Sequence, residues 1–271
     1  MITLTLKQQP SVPLEAESIT PDVVAGLDHA AIRALPVYLG KRSCRLDEFF
    51  DVDGAASDQI EIRGDAARVK WIGHGMTRGQ VKIVGNAGMH LGAHMKGGSI
   101  EVSGNASDWI GAEMKAGTIK VAGNAGGQIG AAYRGSLQGM RGGTIIVVGS
   151  AGLEVGMRMR RGVIVVGGPV RDFCGLQMKG GTIFLLGGAE IRTGAWMFRG
   201  TIVSMKPLPL MPTFSYACQG VPDFMRLFAR RFQEWGLTAL PHDPAQGFYR
   251  MYSGDASVPG KGEIFIWQPA E

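Results

Sequence analysis

His90 and His94 stand four residues apart, and Cys44, Cys174 and Cys218 are the only cysteines. On a helix, an H-x-x-x-H pair points two imidazoles to one side, as a zinc site requires. Here the pair brackets "LGA", a glycine corner between extended segments, and spacing supplies no third ligand. A metal site is therefore not expected, and the chain's regularly spaced methionines are read as core filler rather than ligands. His29, His74 and His242 are isolated, no Cys-x-x-Cys occurs, and the odd cysteine count argues against a disulfide framework. "GGTIIVVGSAG" at 142–152 imitates a strand leading into a dinucleotide loop. That fingerprint must open a helix, and the residues after it have strand periodicity instead. "GNAGGQIG" at 123–130 fails in the same way. No Ser/His/Asp arrangement stands out, so no catalytic residue is assigned.

What the chain does carry is a column of cations, visible only once its repeat is aligned. An opening glycine falls at Gly79, Gly98, Gly117, Gly143, Gly162, Gly181 and Gly200, in steps of 19 residues except for one of 26. The consensus is G-T-I-x-V-x-G-N-A-G-x-x-I-G-A-x-M-x-G. A less regular copy starts near Gln59, and the long step carries seven extra residues within 132–139. A unit this short holds one strand and its corners and cannot bury its own apolar side, so neighbours must stack. Val81, Ile100, Ile119, Ile145, Ile164 and Ile183 form one aliphatic column. Ile83, Val102, Val121, Val147, Val166 and Leu185 form a second, two residues on, the period of a strand with one face inward. Leu91, Ile110, Ile129, Val155, Cys174 and Thr193 make a third; Met95, Met114, Met140, Met159, Met178 and Met197 make a fourth. The expected fold class is all-β: a parallel β-helix of about seven coils with small α/β caps at both ends. Asn86, Asn105 and Asn124 are expected to turn the chain through left-handed backbone. Nineteen is not a multiple of six, which argues against hexapeptide acyltransferases, and no acidic column marks a polysaccharide lyase.

Two outward columns bear on function. Lys96, Lys115, Arg141, Arg160 and Lys179 stack at one position, and Phe198 occupies it in the next line. They are either solvated side chains that splay apart or a ladder facing a polyanion or acidic partner. The position between the two core columns reads Lys82, Glu101 and Lys120, then Ile146, Val165 and Phe184. The last three make an apolar patch that something must cover. The C-terminal helix is one candidate cover; a partner subunit across an interface is the other.

The flanks differ in character. Residues 1–58 contain a short strand, Pro-rich turns and a helix near 27–35, and are expected to cover the first coil. Residues 59–204 are the glycine-rich repeat. Residues 205–271 begin with "KPLPLMP" and continue into "PDFMRLFARRFQEWG". There Phe224, Leu227, Phe228, Phe232 and Trp235 are assigned to one helical face, between Pro222 and Gly236, packing over the last coil. The 271 residues include 42 glycines, carry net charge +5, and are 45 % hydrophobic and 19 % charged. That is a globular composition with a bias toward acidic partners. The start "MITLTLKQQP" has no signal-peptide pattern and no apolar run reaches membrane-spanning length. A cytoplasmic protein is expected.

The glycine-rich repeats with "GNAG" corners resemble the C-terminal β-helix domain of the glutamate synthase large subunit. With the flanks "PLEAESITPD" (13–22), "VYLGKRSCRLDEFFDV" (37–52), "LMPTFSYACQG" (210–220), "YRMYSGD" (249–255) and "GKGEIFIW" (260–267), nearly the whole chain resembles the C-subunit family of formylmethanofuran dehydrogenases. The likeness is greatest to its bacterial members, in the formyltransferase/hydrolase complexes of methylotrophs. The resemblance implies a complex that takes a formyl group from formyl-tetrahydromethanopterin onto a methanofuran-type cofactor and hydrolyses it to formate. It implies an amidohydrolase-like A subunit, a B subunit and a formyltransferase D subunit as partners. The C subunit would be a component of that enzyme, binding no cofactor alone and carrying no catalysis. Nucleic acid and membrane have no place in this reading. An archaeal-type molybdenum or tungsten dehydrogenase, or a glutamate-synthase-like structural solenoid, is the alternative. Because methanofuran-type cofactors carry a glutamate-rich tail, the resemblance also offers the column from Lys96 to Lys179 as a track for that tail.

Overall fold

The computed structural model describes residues 1–238 and 240–270. Among these, thirteen strands bond into one large, mostly parallel sheet, and four form a small second sheet. The repeat builds the middle of the large sheet. Strands Gln80–Val84, Lys96–Val102, Ala116–Val121, Arg141–Val147, Arg161–Val166, Lys179–Leu185 and Arg199–Ser204 lie side by side in parallel. The register sets Ile100 beside Ile119, Ile145, Ile164 and Ile183, and Val102 beside Val121, Val147, Val166 and Leu185. All are essentially buried. The long step does not disturb this order, since Ile119 still pairs with Ile145 and the extra residues are extruded from the sheet.

Each line is tied to the next at further points. The alanines bridge in parallel, Ala66 to Ala87 to Ala106 to Ala125. At another corner Gly111 N donates to Leu91 O, Gly130 N to Ile110 O and Gly156 N to Ile129 O, each at 2.8 Å. The third and fourth columns are buried inside, the six methionines completely. They also explain the opening glycine. A Cβ at Gly117, where φ is +97°, would lie 2.6 Å from Met95 Cε, and the same clash recurs one line on between Gly143 and Met114.

The asparagine corners work differently from expectation. Asn86, Asn105 and Asn124 do not have positive φ. Their side chains form a ladder: Asn86 Oδ1 accepts from Asn105 N and Asn105 Oδ1 from Asn124 N, both at 2.8 Å. Asn124 Oδ1 then accepts from Ser150 N at 2.9 Å. An amide that bridges from one line to the next satisfies a corner N–H that the sheet ladder has already left behind.

The ends of the sheet are closed by strands. Ile2–Leu6 pairs parallel with Gln59–Arg63 and antiparallel with Phe50–Gly54. At the other end Lys261–Pro269 pairs parallel with Arg199–Ser204, then Gly247–Gly254 and Ser215–Gly220 are added antiparallel. Strands, and not the helix Phe224–Glu234, therefore close the open end of the last line; the helix takes the other place that the sequence offered it, as cover for the outward column. Another strand satisfies a bare edge most directly, because its backbone supplies the missing hydrogen-bond partners. The helix instead crosses the outward face, where Met225, Ala229 and Phe232 pack in one cluster with Ile146, Val165, Phe184 and Val203. Assignment of Ile146, Val165 and Phe184 to a subunit interface is thereby corrected: the chain's own C-terminal segment buries them to 1 % exposure or less. Lys120 Nζ reaches Trp235 O at 3.1 Å, a cation at the helix C-terminus where the outward column changes from charged to apolar. Leu227 is 65 % exposed; the buried stripe is 225, 229 and 232, and position 227 falls outside it. The predicted helix near 27–35 is present as the short helix His29–Arg33, and a second short helix, Pro21–Val24, precedes it. Among the described residues, no helix is long and apolar enough to cross a membrane.

Candidate functional site

Two outward features meet around the extruded segment 132–139. The first is a cluster of rings. Trp71, His90 and Trp109 occupy one corner in three successive lines, each with left-handed backbone (φ +66°, +63° and +66°). Gln128, Glu154, Phe173 and Arg192 continue the position with the same backbone sign, so the conformation belongs to the corner. It holds its side chain outward, clear of the core. Trp71 and His90 stack at 4.1 Å with planes 9° apart, and Trp109 stacks on Tyr133 at 4.9 Å. Tyr133 comes from the extruded segment, and its hydroxyl lies 2.8 Å from His90 Nδ1. His74 and His94 make an edge contact at 5.4 Å. Glu113 Oε1 accepts from Tyr133 N at 3.2 Å, and Oε2 stands 3.6 Å from His94 Nδ1.

The electrostatics decide what these groups can do. Burial, reinforced by the Lys70 charge, pushes His90 down to about 4. Burial also lowers His74, and burial together with Glu113 raises Tyr133. At neutral pH His90 is an uncharged imidazole hydrogen-bonded to the Tyr133 hydroxyl. A general acid or base works best with its pKa near the operating pH. Here burial has moved the base down and the acid up, away from neutral pH in both directions. The rings also use their faces on one another, which leaves their edges for contact. Among the described residues, no group of three or more His, Cys, Asp or Glu converges as metal ligands would.

The second feature is the cation column. Lys96 N donates to Met76 O at 2.8 Å, Lys115 N to Met95 O at 2.7 Å, and Arg141 N to Met114 O at 2.7 Å. Arg160 N to Met140 O at 2.8 Å and Lys179 N to Met159 O at 2.7 Å complete the series. The five thus stand above one another at strand spacing. Lys96, Lys115, Arg141 and Arg160 are exposed and Lys179 half-buried. Among the described residues none of the five stands within 4.0 Å of a carboxylate. Two of them hold the extruded segment, Lys179 Nζ on Leu137 O at 3.2 Å and Arg141 on Gln138 Oε1 at 3.5 Å. Arg158 bonds both Ser136 O and Gln177.

Sequence reasoning found the cation column and missed the ring cluster. The signal was present, because Trp71, His90 and Trp109 are themselves 19 residues apart. Only Tyr133 and Glu113 needed the tertiary structure.

The GXGXG motif family model matches residues 61–206. The Fhc C subunit of the formyltransferase/hydrolase complex of Methylorubrum extorquens is 49 % identical over 98 % of this chain and 99 % of its own length. The chain belongs to the Fhc C-subunit family. A solved structure, described as the formyltransferase/hydrolase complex (FhcABCD) from Methylorubrum extorquens in complex with methylofuran, superposes with TM-score 0.88. The superposition covers 99 % of this chain and 100 % of that one, at 32 % identity. The C subunit of the tungsten-containing formylmethanofuran dehydrogenase 2 of Methanothermobacter thermautotrophicus is 42 % identical over 97 residues. That match takes in 34 % of this chain and 36 % of the archaeal relative, so the chain spans only about a third of the length of that relative.

Proposed function

We propose that this chain is a non-catalytic assembly subunit of a cytoplasmic formyltransferase/hydrolase complex. That complex moves a formyl group from tetrahydromethanopterin to a methanofuran-type cofactor and releases formate, with A, B and D subunits as partners. The observation that carries the reading is the end-to-end match to the Fhc C subunit. It also favours the bacterial hydrolytic complex over the archaeal redox one, whose C subunit matches only in part. The non-catalytic role is supported by the chemistry of the ring cluster, in which the bonded Tyr133–His90 pair is displaced from neutral pH in both directions. As an architecture we propose a parallel β-helix over 59–204, supported by in-register lines bonded at the strand, the alanine bridge and the glycine corner. Residues 1–58 and 205–271 are its caps.

Within that complex we assign the column Lys96, Lys115, Arg141, Arg160 and Lys179 to docking of carboxylate-rich chain, either a glutamate-rich cofactor tail or an acidic stretch of a partner. Co-expression with A, B and D subunits tests the assignment. The chain elutes with the other three, the three-subunit preparation lacking it is incomplete or unstable, and the isolated chain neither transfers nor hydrolyses formyl groups. Activity of the isolated chain, or its elution apart from the rest, overturns the reading.

A further inference from the structure

The two edges of the large sheet are finished differently. At one, Phe50–Gly54 carries Asp51 and Asp53, and Lys7 pairs with Asp51 at 3.5 Å. Charges on an edge strand are a standard guard against pairing with another chain. At the other edge, Ser215–Gly220 reads SYACQG, with no charge and no proline. All six residues are exposed, Tyr216 to 55 %. The strand bonds only to Gly247–Gly254 on its inner side. Among the described residues no backbone hydrogen bond reaches its outer side, where roughly half of its N–H and C=O groups point. Beside it lies a mostly apolar cleft of about 290 Å³, lined by Cys218, Gly220, Pro222, Tyr249, Met251 and Phe265.

A free backbone edge next to an apolar cleft has the two parts of strand addition: main-chain bonds for affinity and a socket for a side chain. We propose that Ser215–Gly220 accepts an extended, uncharged strand from another subunit of the complex, with one apolar side chain seated in that cleft. The partner is named on the reading of the chain as an assembly subunit. The strand's exposure on both faces as well as its edge fits a cover larger than a single ligand. An unguarded edge of this kind is otherwise an aggregation site, so its occupation belongs to the protein's working state.

Cys218 reports on the proposal without mutation. It is exposed, whereas Cys44 and Cys174 are buried, so a maleimide labels one thiol in the free chain. In the assembled complex its labelling slows by at least about tenfold, as enclosure of a thiol requires. Substitution of Tyr216→Lys together with Gln219→Lys guards the edge; the variant keeps its thermal transition but leaves the complex. Equal labelling of Cys218 in free chain and complex overturns the proposal, and so does assembly of the double variant. A dimer of the isolated chain that protects Cys218 overturns the choice of partner in favour of a second copy. If the unaltered chain itself fails to elute with A, B and D, the functional reading falls and the named partner with it.

Discussion

Phe184 decides whether the apolar outward column is core or interface, and Phe184→Ala tests it. The side chain is completely buried, with ring centroids 4.7 Å from Phe228 and 5.1 Å from Phe232, both edge-on. An aromatic side chain of this kind buries on the order of 150–250 Å². At about 25 cal/mol per Å² that is roughly 4–6 kcal/mol as an upper bound, because the unfolded chain is itself partly collapsed. Measured Phe→Ala losses in cores run about 3–5 kcal/mol, and that is the expected loss for the isolated chain. Denaturant unfolding measures it, and amide exchange over Phe224–Glu234 should quicken at the same time because the helix loses its seat. Leu227→Ala is the control: at 65 % exposure it should shift stability by no more than about 0.5 kcal/mol. A Phe184/Phe228 double-mutant cycle should return about 0.5–1.5 kcal/mol of coupling. If both single variants cost the isolated chain the same small amount, while Phe184→Ala weakens only the assembled complex, the helix is not the cover and the reasoning fails.

Replacing Lys115, Arg141 and Arg160 together by Gln should weaken binding of a carboxylate-rich ligand or partner and flatten its salt dependence, read by titration at several ionic strengths; unchanged binding in an intact complex removes the docking role. His90 should titrate near 4 by NMR, below its ordinary 6.5. Since its folded value lies below the unfolded one, its stabilising contribution is complete above about pH 6.5, falls as pH drops toward 4, and levels off below; titration of His90 near 6.5 contradicts the buried, neutral ring. Gly117→Ala forces a side chain onto left-handed backbone and against Met95 Cε, and should cost about 1–3 kcal/mol in denaturant unfolding; a neutral or stabilising result would refute the account of the opening glycine.

Much of the sheet was legible because stacked, identical lines make spacing in sequence equal to neighbourhood in space. Val102 and Val121 are 19 residues apart and are partners in adjacent strands. The buried methionine column obeys the same rule. The reading was weaker wherever a residue's partner lay outside its own column. Asn105 was expected to bend the backbone, yet it bridges to Asn124 through its side chain. On the helix, Phe224, Phe228, Phe232 and Trp235 pack on the sheet as assigned, joined by Met225 and Ala229, while Leu227 points to solvent. The ring cluster is not legible from the His90/His94 spacing; it needs Trp71, His90 and Trp109 aligned as a column of the repeat, and Tyr133 brought in by the fold.

The sequence by itself determined the register, the buried columns, the exposed cations and the family, since each repeats or matches along the chain without reference to distant parts. Only the tertiary structure decided that the C-terminal helix lies across Ile146, Val165 and Phe184 while strands close the end of the sheet. Likewise, only it brought Tyr133 onto His90 and left Ser215–Gly220 bare. These outcomes depend on competition between surfaces. An apolar stripe can be satisfied by any apolar face, whereas an open backbone edge is bonded best by another strand, and which segment wins each place is not written in either one alone.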